Sequence, residues 1–183
     1  LLILKQPNLS TAALMGLTLW MVALAAGLRW RSLLGTALAG SLLGTASILI
    51  NEYQRIRVVS FLDPWNDPMG DGYQLVQSLL AIGSGGWMGQ GYGLSTQKLQ
   101  YLPIQSTDFI YAVFAEEFGF VGSVLLLLFL MLVAWVGLRV ALRCRSNQAR
   151  LVAIGCTTIL VGQSILNIAV ASGAMPTTGL PLP

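Results

Sequence analysis

Histidine is absent from the 183 residues, and charge is scarce, with 9% of positions Asp, Glu, Lys or Arg. Without histidine there is no Ser-His or Cys-His catalytic pair, and most zinc sites lose a ligand they depend on. A soluble domain carries about 25% charged residues, so the chain does not read as one. The two cysteines, Cys144 and Cys156, form neither a metal-ligand spacing nor a disulfide framework. Acid is missing from most of the chain as well. All seven carboxylates (Glu52, Asp63, Asp67, Asp71, Asp108, Glu116 and Glu117) fall in one stretch, and chemistry is expected there.

What the chain has is apolar length. Hydrophobic residues make up 55% of it, and the mean hydropathy is +0.73. Four uncharged runs, 9–28, 32–50, 118–138 and 151–175, reach the roughly 20 residues that a bilayer crossing takes. They predict an all-α polytopic membrane protein with four transmembrane helices. No basic start, short apolar core and cleavage site marks a signal peptide. The chain opens without methionine, on Leu1-Leu2-Ile3-Leu4, and the expectation is a fragment of a larger membrane protein.

The short connectors carry Arg29, Arg31, Arg139, Arg143, Arg145 and Arg150 and no acid, which assigns them to the cytoplasmic side. The long loop 51–117 then lies outside, where Arg55, Arg57 and Lys98 face all seven acids. The cytoplasmic arginines are expected to set topology and nothing more. Gly40 and Gly44 have the GxxxG spacing that lets helices approach. Gln163 and Asn167, one turn apart, either bond a neighbouring helix or line a polar cavity.

In the outer loop, 51–57 reads as a continuation of the second helix into the interface. Asp63-Pro64 and Asp67-Pro68 set turns, with Phe61 and Trp65 suited to the headgroup layer. Residues 73–82 form an amphipathic helix too short to span, expected along the membrane surface. The glycine-rich run 83–93 is either a flexible turn or an anion nest, and it lacks the Gly-Lys-Ser/Thr of a P-loop. Ser106-Thr107-Asp108 before an apolar run is a helix N-cap signature, so Asp108 reads as a cap or as a functional acid. Two registers are open for the crossing that follows. With 118–138 as the span, Asp108 stands about 15 Å above it. With 109–129, Glu116 and Glu117 lie inside the bilayer and must face protein or water. By helical phase, Glu117 points opposite to Asp108, so the acids do not converge on one metal, and no metal site is expected.

The order Phe-Leu-Asp-Pro, Gly-Tyr-Gln, Gln-Ser-Leu-Leu-Ala-Ile-Gly-Ser-Gly-Gly, Gln-Lys-Leu-Gln-Tyr-Leu-Pro and Thr-Asp-Phe-Ile-Tyr-Ala-Val-Phe-Ala-Glu-Glu-Phe-Gly resembles the SEDS family. These are the FtsW, RodA and SpoVE polymerases of bacterial cell-wall synthesis. The resemblance runs from Lys5-Gln6-Pro7-Asn8 to Pro176-Thr177-Thr178-Gly179 and favours the FtsW branch. It implies a partial SEDS membrane domain over 1–183: four of about ten spans, with one large extracellular loop that holds an amphipathic helix. It also implies a multi-pass protein of the bacterial inner membrane, at the division septum.

The activity implied is peptidoglycan glycosyltransfer, polymerising lipid II into glycan strands. Asp108 of the Thr-Asp-Phe motif is the implied catalytic residue, a general base on the acceptor sugar 4-hydroxyl. Arg55, Arg57 and Lys98 are the proposed pyrophosphate neighbours. Gln77, Gly85, Gly86, Gln97 and Thr107 are expected to bind substrate, and Glu116 and Glu117 to support it from behind. A divalent cation such as magnesium could share the charge. The implied partners are lipid II, membrane lipid, a class B penicillin-binding transpeptidase and other division proteins, with no nucleic acid. A lipid II flippase and a non-catalytic divisome scaffold are the competing readings. The chain departs from the family pattern at Gln100, where an acid is frequent, at Ser106, where histidine is, and at Asn8, where aspartate is.

Overall fold

A computed structural model describes residues 9–70, 72–94 and 109–177. Among these the elements are all helices: α1 (Leu9–Ala25), α2 (Trp30–Ile50), α3 (Glu52–Leu62), α4 (Tyr73–Ser84), α5 (Ile110–Arg143) and α6 (Asn147–Ala171). By length and composition α2, α5 and α6 can each cross a membrane, while α1 is apolar but only 17 residues long. The expected runs 9–28 and 151–175 overshoot, for one reason. Both helices end at a left-handed glycine, Gly27 (φ 81°) and Gly173 (φ 70°). Leu28 N–H then bonds back to the Ala23 carbonyl, and Ala174 N–H to that of Ala169. This closure satisfies orphan carbonyls and stops the helix while the sequence remains apolar. At its other end α6 starts earlier than expected, where the Ser146 hydroxyl accepts the Ala149 N–H as an N-cap.

The chain forms two compact units. One comprises the chain up to Gln54 together with Leu130–Gln163. Small residues set its helix packing: a Cβ on Gly137 would overlap Thr157, and one on Gly162 would crowd Leu14. Trp20 donates its indole N–H to the Leu33 carbonyl at 3.1 Å, and Arg150 reaches the Ala25 carbonyl at 3.4 Å. Arg139 lies over the Trp135 ring at 4.4 Å. No atom stands within 4 Å of a Cβ built on Gly40 or Gly44, so the GxxxG face is open among the described residues.

The second unit comprises Arg55–Phe129 and the chain from Ser164 onward. The second helix does not simply run on, as 51–57 suggested. Asn51 turns extended (φ −97°, ψ 111°) and caps α2, and α3 starts afresh. The turn after α3 is tied by Asp67, whose carboxylate accepts the Gly70 N–H at 3.0 Å. In α4 the apolar face is turned into protein rather than onto the membrane surface. Leu75, Val76 and Ala81 are buried, and Ser78 donates to the Ala171 carbonyl at 2.7 Å. Ala81 joins Phe109, Tyr111, Ala112 and Ala115 of the α5 end and Val170 and Ala171 of α6 in one core.

A stability comparison follows from the glycines. Gly119→Ala places a side chain at φ 67° against the backbone of Gly89, at a cost of about 1–3 kcal/mol. Gly83→Ala, in open space within α4, gains about 0.5–1 kcal/mol. Denaturant unfolding in detergent micelles should therefore move the two midpoints in opposite directions.

Candidate functional site

The acid-bearing end of α5 is held by an interruption. Gly119 leaves helical geometry (φ 67°, ψ −163°), which opens the i to i−4 ladder at two places. The glycine-rich segment fills the opening. Phe120 N–H bonds to the Gly86 carbonyl at 2.9 Å and Val121 N–H to that of Trp87 at 3.2 Å. The carbonyls those amides would have used, Glu116 and Glu117, accept from Gln90 at 2.9 Å and Gly91 at 3.1 Å. Four strap bonds thus replace two helix bonds, and Ser123 donates to the Gly119 carbonyl at 3.0 Å.

Such a close backbone approach requires glycine. A Cβ on Gly85 would overlap the Ala115 carbonyl, and one on Gly89 the Glu117 carbonyl. The amides of Gln90 and Gly91 are spent on this lock, as are those of Gly85 and Gly89 on the Ala81 and Gly85 carbonyls. An anion nest built from them is therefore not formed. The run is a structural strap, which neither sequence reading anticipated. The residues that make it, Gly89, Gly91 and Gly119, were not picked out as functional. Their signal was the Phe-Gly-Phe-Val-Gly interruption inside an apolar run.

Directly before the interruption, Glu116 is fully buried and Glu117 nearly so. The buried stripe of α5 runs Ala112, Ala115, Glu116, while that of α6 runs Ser164, Asn167, Val170, Ala171. Both stripes continue from the shared apolar core, so the polar residues extend that core. Burial of this kind is tolerated only where polar groups are compensated, and Glu116, Glu117, Ser164 and Asn167 each have a polar or electrostatic interaction.

Other expected site residues are spread out. Gln77 is half-buried on α4. Arg57 donates to the Thr177 carbonyl at 3.0 Å and ties α3 to the segment after α6. Arg55 lines an open cavity of about 330 Å³ with Ile56, Val59, Ser60, Asp63, Asn66, Asp67 and Gly72. An anion entering this cavity meets two carboxylates beside one guanidinium, a balance that favours neutral hydroxyl-bearing groups over pyrophosphate. Asp108, Thr107, Lys98 and Gln97 lie outside the described residues, as do Asp71, Gln100 and Ser106. Among the described residues no three His, Cys, Asp or Glu side chains converge as a metal cage.

Among the described residues, helices alone, three of them of membrane length, with a strapped helix interruption and buried acids define a class of integral membrane protein, and comparison narrows it. The chain belongs to the FtsW/RodA/SpoVE cell cycle protein family, whose model matches residues 1–183. It is 64% identical over 99% of its length to a Synechocystis protein named probable peptidoglycan glycosyltransferase FtsW, covering 46% of that protein. It is 40% identical over its whole length to stage V sporulation protein E of Bacillus subtilis, covering 50% of it. A solved structure described as "Structural coordination of polymerization and crosslinking by a peptidoglycan synthase complex" matches the whole chain with a TM-score of 0.74 and 38% identity, covering 50% of that chain. The chain thus spans about half the length of the relatives it matches.

The Arg57 contact makes a measurable claim. Losing a hydrogen bond to a charged group costs about 1.5–3 kcal/mol, so Arg57→Ala should speed amide hydrogen exchange over 172–177 by tenfold or more. Arg55→Ala, which leaves the bond to Thr177 intact, should not.

Proposed function

We propose that this chain is the part of a peptidoglycan glycosyltransferase that holds its catalytic loop, extending glycan strands from lipid II during cell division. The observation that carries this reading is the 64% identity, across nearly the whole chain, to a protein named for that activity. The solved relative's synthase complex supports a transpeptidase partner of the class B penicillin-binding type. The membrane-length helices support a multi-pass location, with the bacterial plasma membrane at the septum as the proposed site.

In this mechanism Asp108 is the general base. It accepts the proton of the acceptor sugar 4-hydroxyl as that oxygen attacks the donor anomeric carbon. The bond from that carbon to the lipid pyrophosphate breaks with inversion, and the pyrophosphate leaves with the electron pair. Asp108 is the residue before Phe109, which is buried in the core that joins α4, α5 and α6. Glu116 and Glu117 support that segment from within the protein. Charge on the departing pyrophosphate calls for cations. Lys98 is the leading candidate, since Arg57 is engaged with Thr177 and Arg55 shares its cavity with two acids. Magnesium at the pyrophosphate would take at most two acidic side chains from the described residues and complete its shell with substrate oxygens and water. The flippase reading gains nothing from Glu116 and Asn167, which are fully buried rather than bordering an open path.

The test uses the full-length protein and purified lipid II. Asp108→Asn should lower the polymerisation rate by roughly 10²–10⁴-fold with lipid II binding retained. Wild-type activity in that variant would remove the aspartate from the mechanism. Lys98→Ala should lower kcat/KM by roughly tenfold or more, the loss of one charge-assisted contact, with Arg55→Ala affecting it less.

A further inference from the structure

The strap gathers an exposed aromatic patch that the proposed chemistry does not use. Trp87 is 74% exposed, Met88 82% and Tyr92 85%, and all three lie on the strap beside the α5 interruption. Trp87 meets Phe120 edge-on at 5.2 Å, Tyr92 lies 6.3 Å from Phe118, and Phe118 stacks on Phe114 at 4.7 Å. A cluster of this size facing water would cost hydrophobic free energy and invite aggregation, so it needs an occupant.

Two observations indicate which one. The patch is continuous with the outward flank of α5, where Phe120, Val121, Leu125, Leu128 and Phe129 are also exposed. In a membrane protein that flank meets acyl chains. The second is depth. The uncharged run of α5 after Gly119 ends at Arg139, and its 19 steps of 1.5 Å give roughly 29 Å, the thickness of the hydrocarbon core. The interruption therefore falls at a hydrocarbon boundary, where amphipathic Trp and Tyr rings are most favourably placed. This placement corresponds to the later of the two crossing registers, with Glu116 and Glu117 above the acyl region.

We propose that Trp87, Met88, Tyr92, Phe118 and Phe120 form a lipid-binding anchor that seats this unit in the headgroup–acyl boundary of the outer leaflet. The occupant is membrane lipid, and the strap bonds fix the height at which the rings sit. This anchor does not depend on the glycosyltransferase reading, because it follows from exposure, depth and aromatic chemistry alone.

The experiment places a nitroxide on the full-length protein in phosphatidylcholine/phosphatidylglycerol nanodiscs, after replacement of its native cysteines. Trp87→Cys and Tyr92→Cys are the labelled sites, with Met88→Cys as a third should either fail to fold. Leu128→Cys calibrates hydrocarbon and Asn66→Cys calibrates water. Power saturation should give oxygen accessibility above that of Asn66 and NiEDDA accessibility several-fold below it, at a depth between the two calibrators. NiEDDA accessibility equal to that at Asn66 would overturn the proposal by making the patch aqueous. So would low accessibility to both reagents, the signature of a protein partner or a second copy covering the rings.

Discussion

Four backbone hydrogen bonds across the interruption at Gly119 are the constraint on which the acid-bearing unit depends. A helix that enters a membrane cannot leave its amides and carbonyls open, because nothing in hydrocarbon replaces them. Here the ladder is opened at Glu116/Phe120 and Glu117/Val121, and residues 86–91 close it again. Glycine at 85, 89 and 119 is the steric condition for that insertion. The arrangement lets one element serve two environments. Tyr111, Ala112, Ala115, Glu116 and Glu117 near its start are packed into protein, while its later part presents an apolar flank.

That division has consequences for chemistry. Acids are scarce in this chain because an unpaired carboxylate is costly in a bilayer. Glu116 and Glu117 persist next to an apolar helix because protein surrounds them before the interruption. The core beside them holds Phe109, the last residue of the Thr-Asp-Phe motif. The strap relates loop and helix through backbone hydrogen bonds, with the Trp87–Phe120 and Tyr92–Phe118 ring contacts beside them.

Helix class and approximate helix positions were legible from composition and charge, because a long uncharged run has few other solutions. The ends were not. Apolar residues continue past Gly27 and Gly173, and only the left-handed turn at each glycine stops the helix. The α4 helix was legible as amphipathic, but hydropathy does not say whether the apolar face meets lipid or protein. Contact with Ala171 and the α5 end decides that. The strap was legible only as flexible or anion-binding, since its role lies in pairing with residues about thirty positions away. The family itself was legible, because several blocks of side chains stand in the right order across the chain. The expectations for Asp108, which rests on that order, and for Lys98, which rests on the charge of the loop, fall on residues outside the described ones.

The central claim is that strap and interrupted helix are one hydrogen-bonded unit. Amide hydrogen exchange of the full-length protein in lipid, resolved at Gln90, Gly91, Phe120 and Val121, tests it most directly. The account predicts that all four amides are protected and open together, with a common free energy. Exchange of Gln90 and Gly91 at the rate of an unstructured glycine-rich loop, with Phe120 and Val121 still protected, would contradict it.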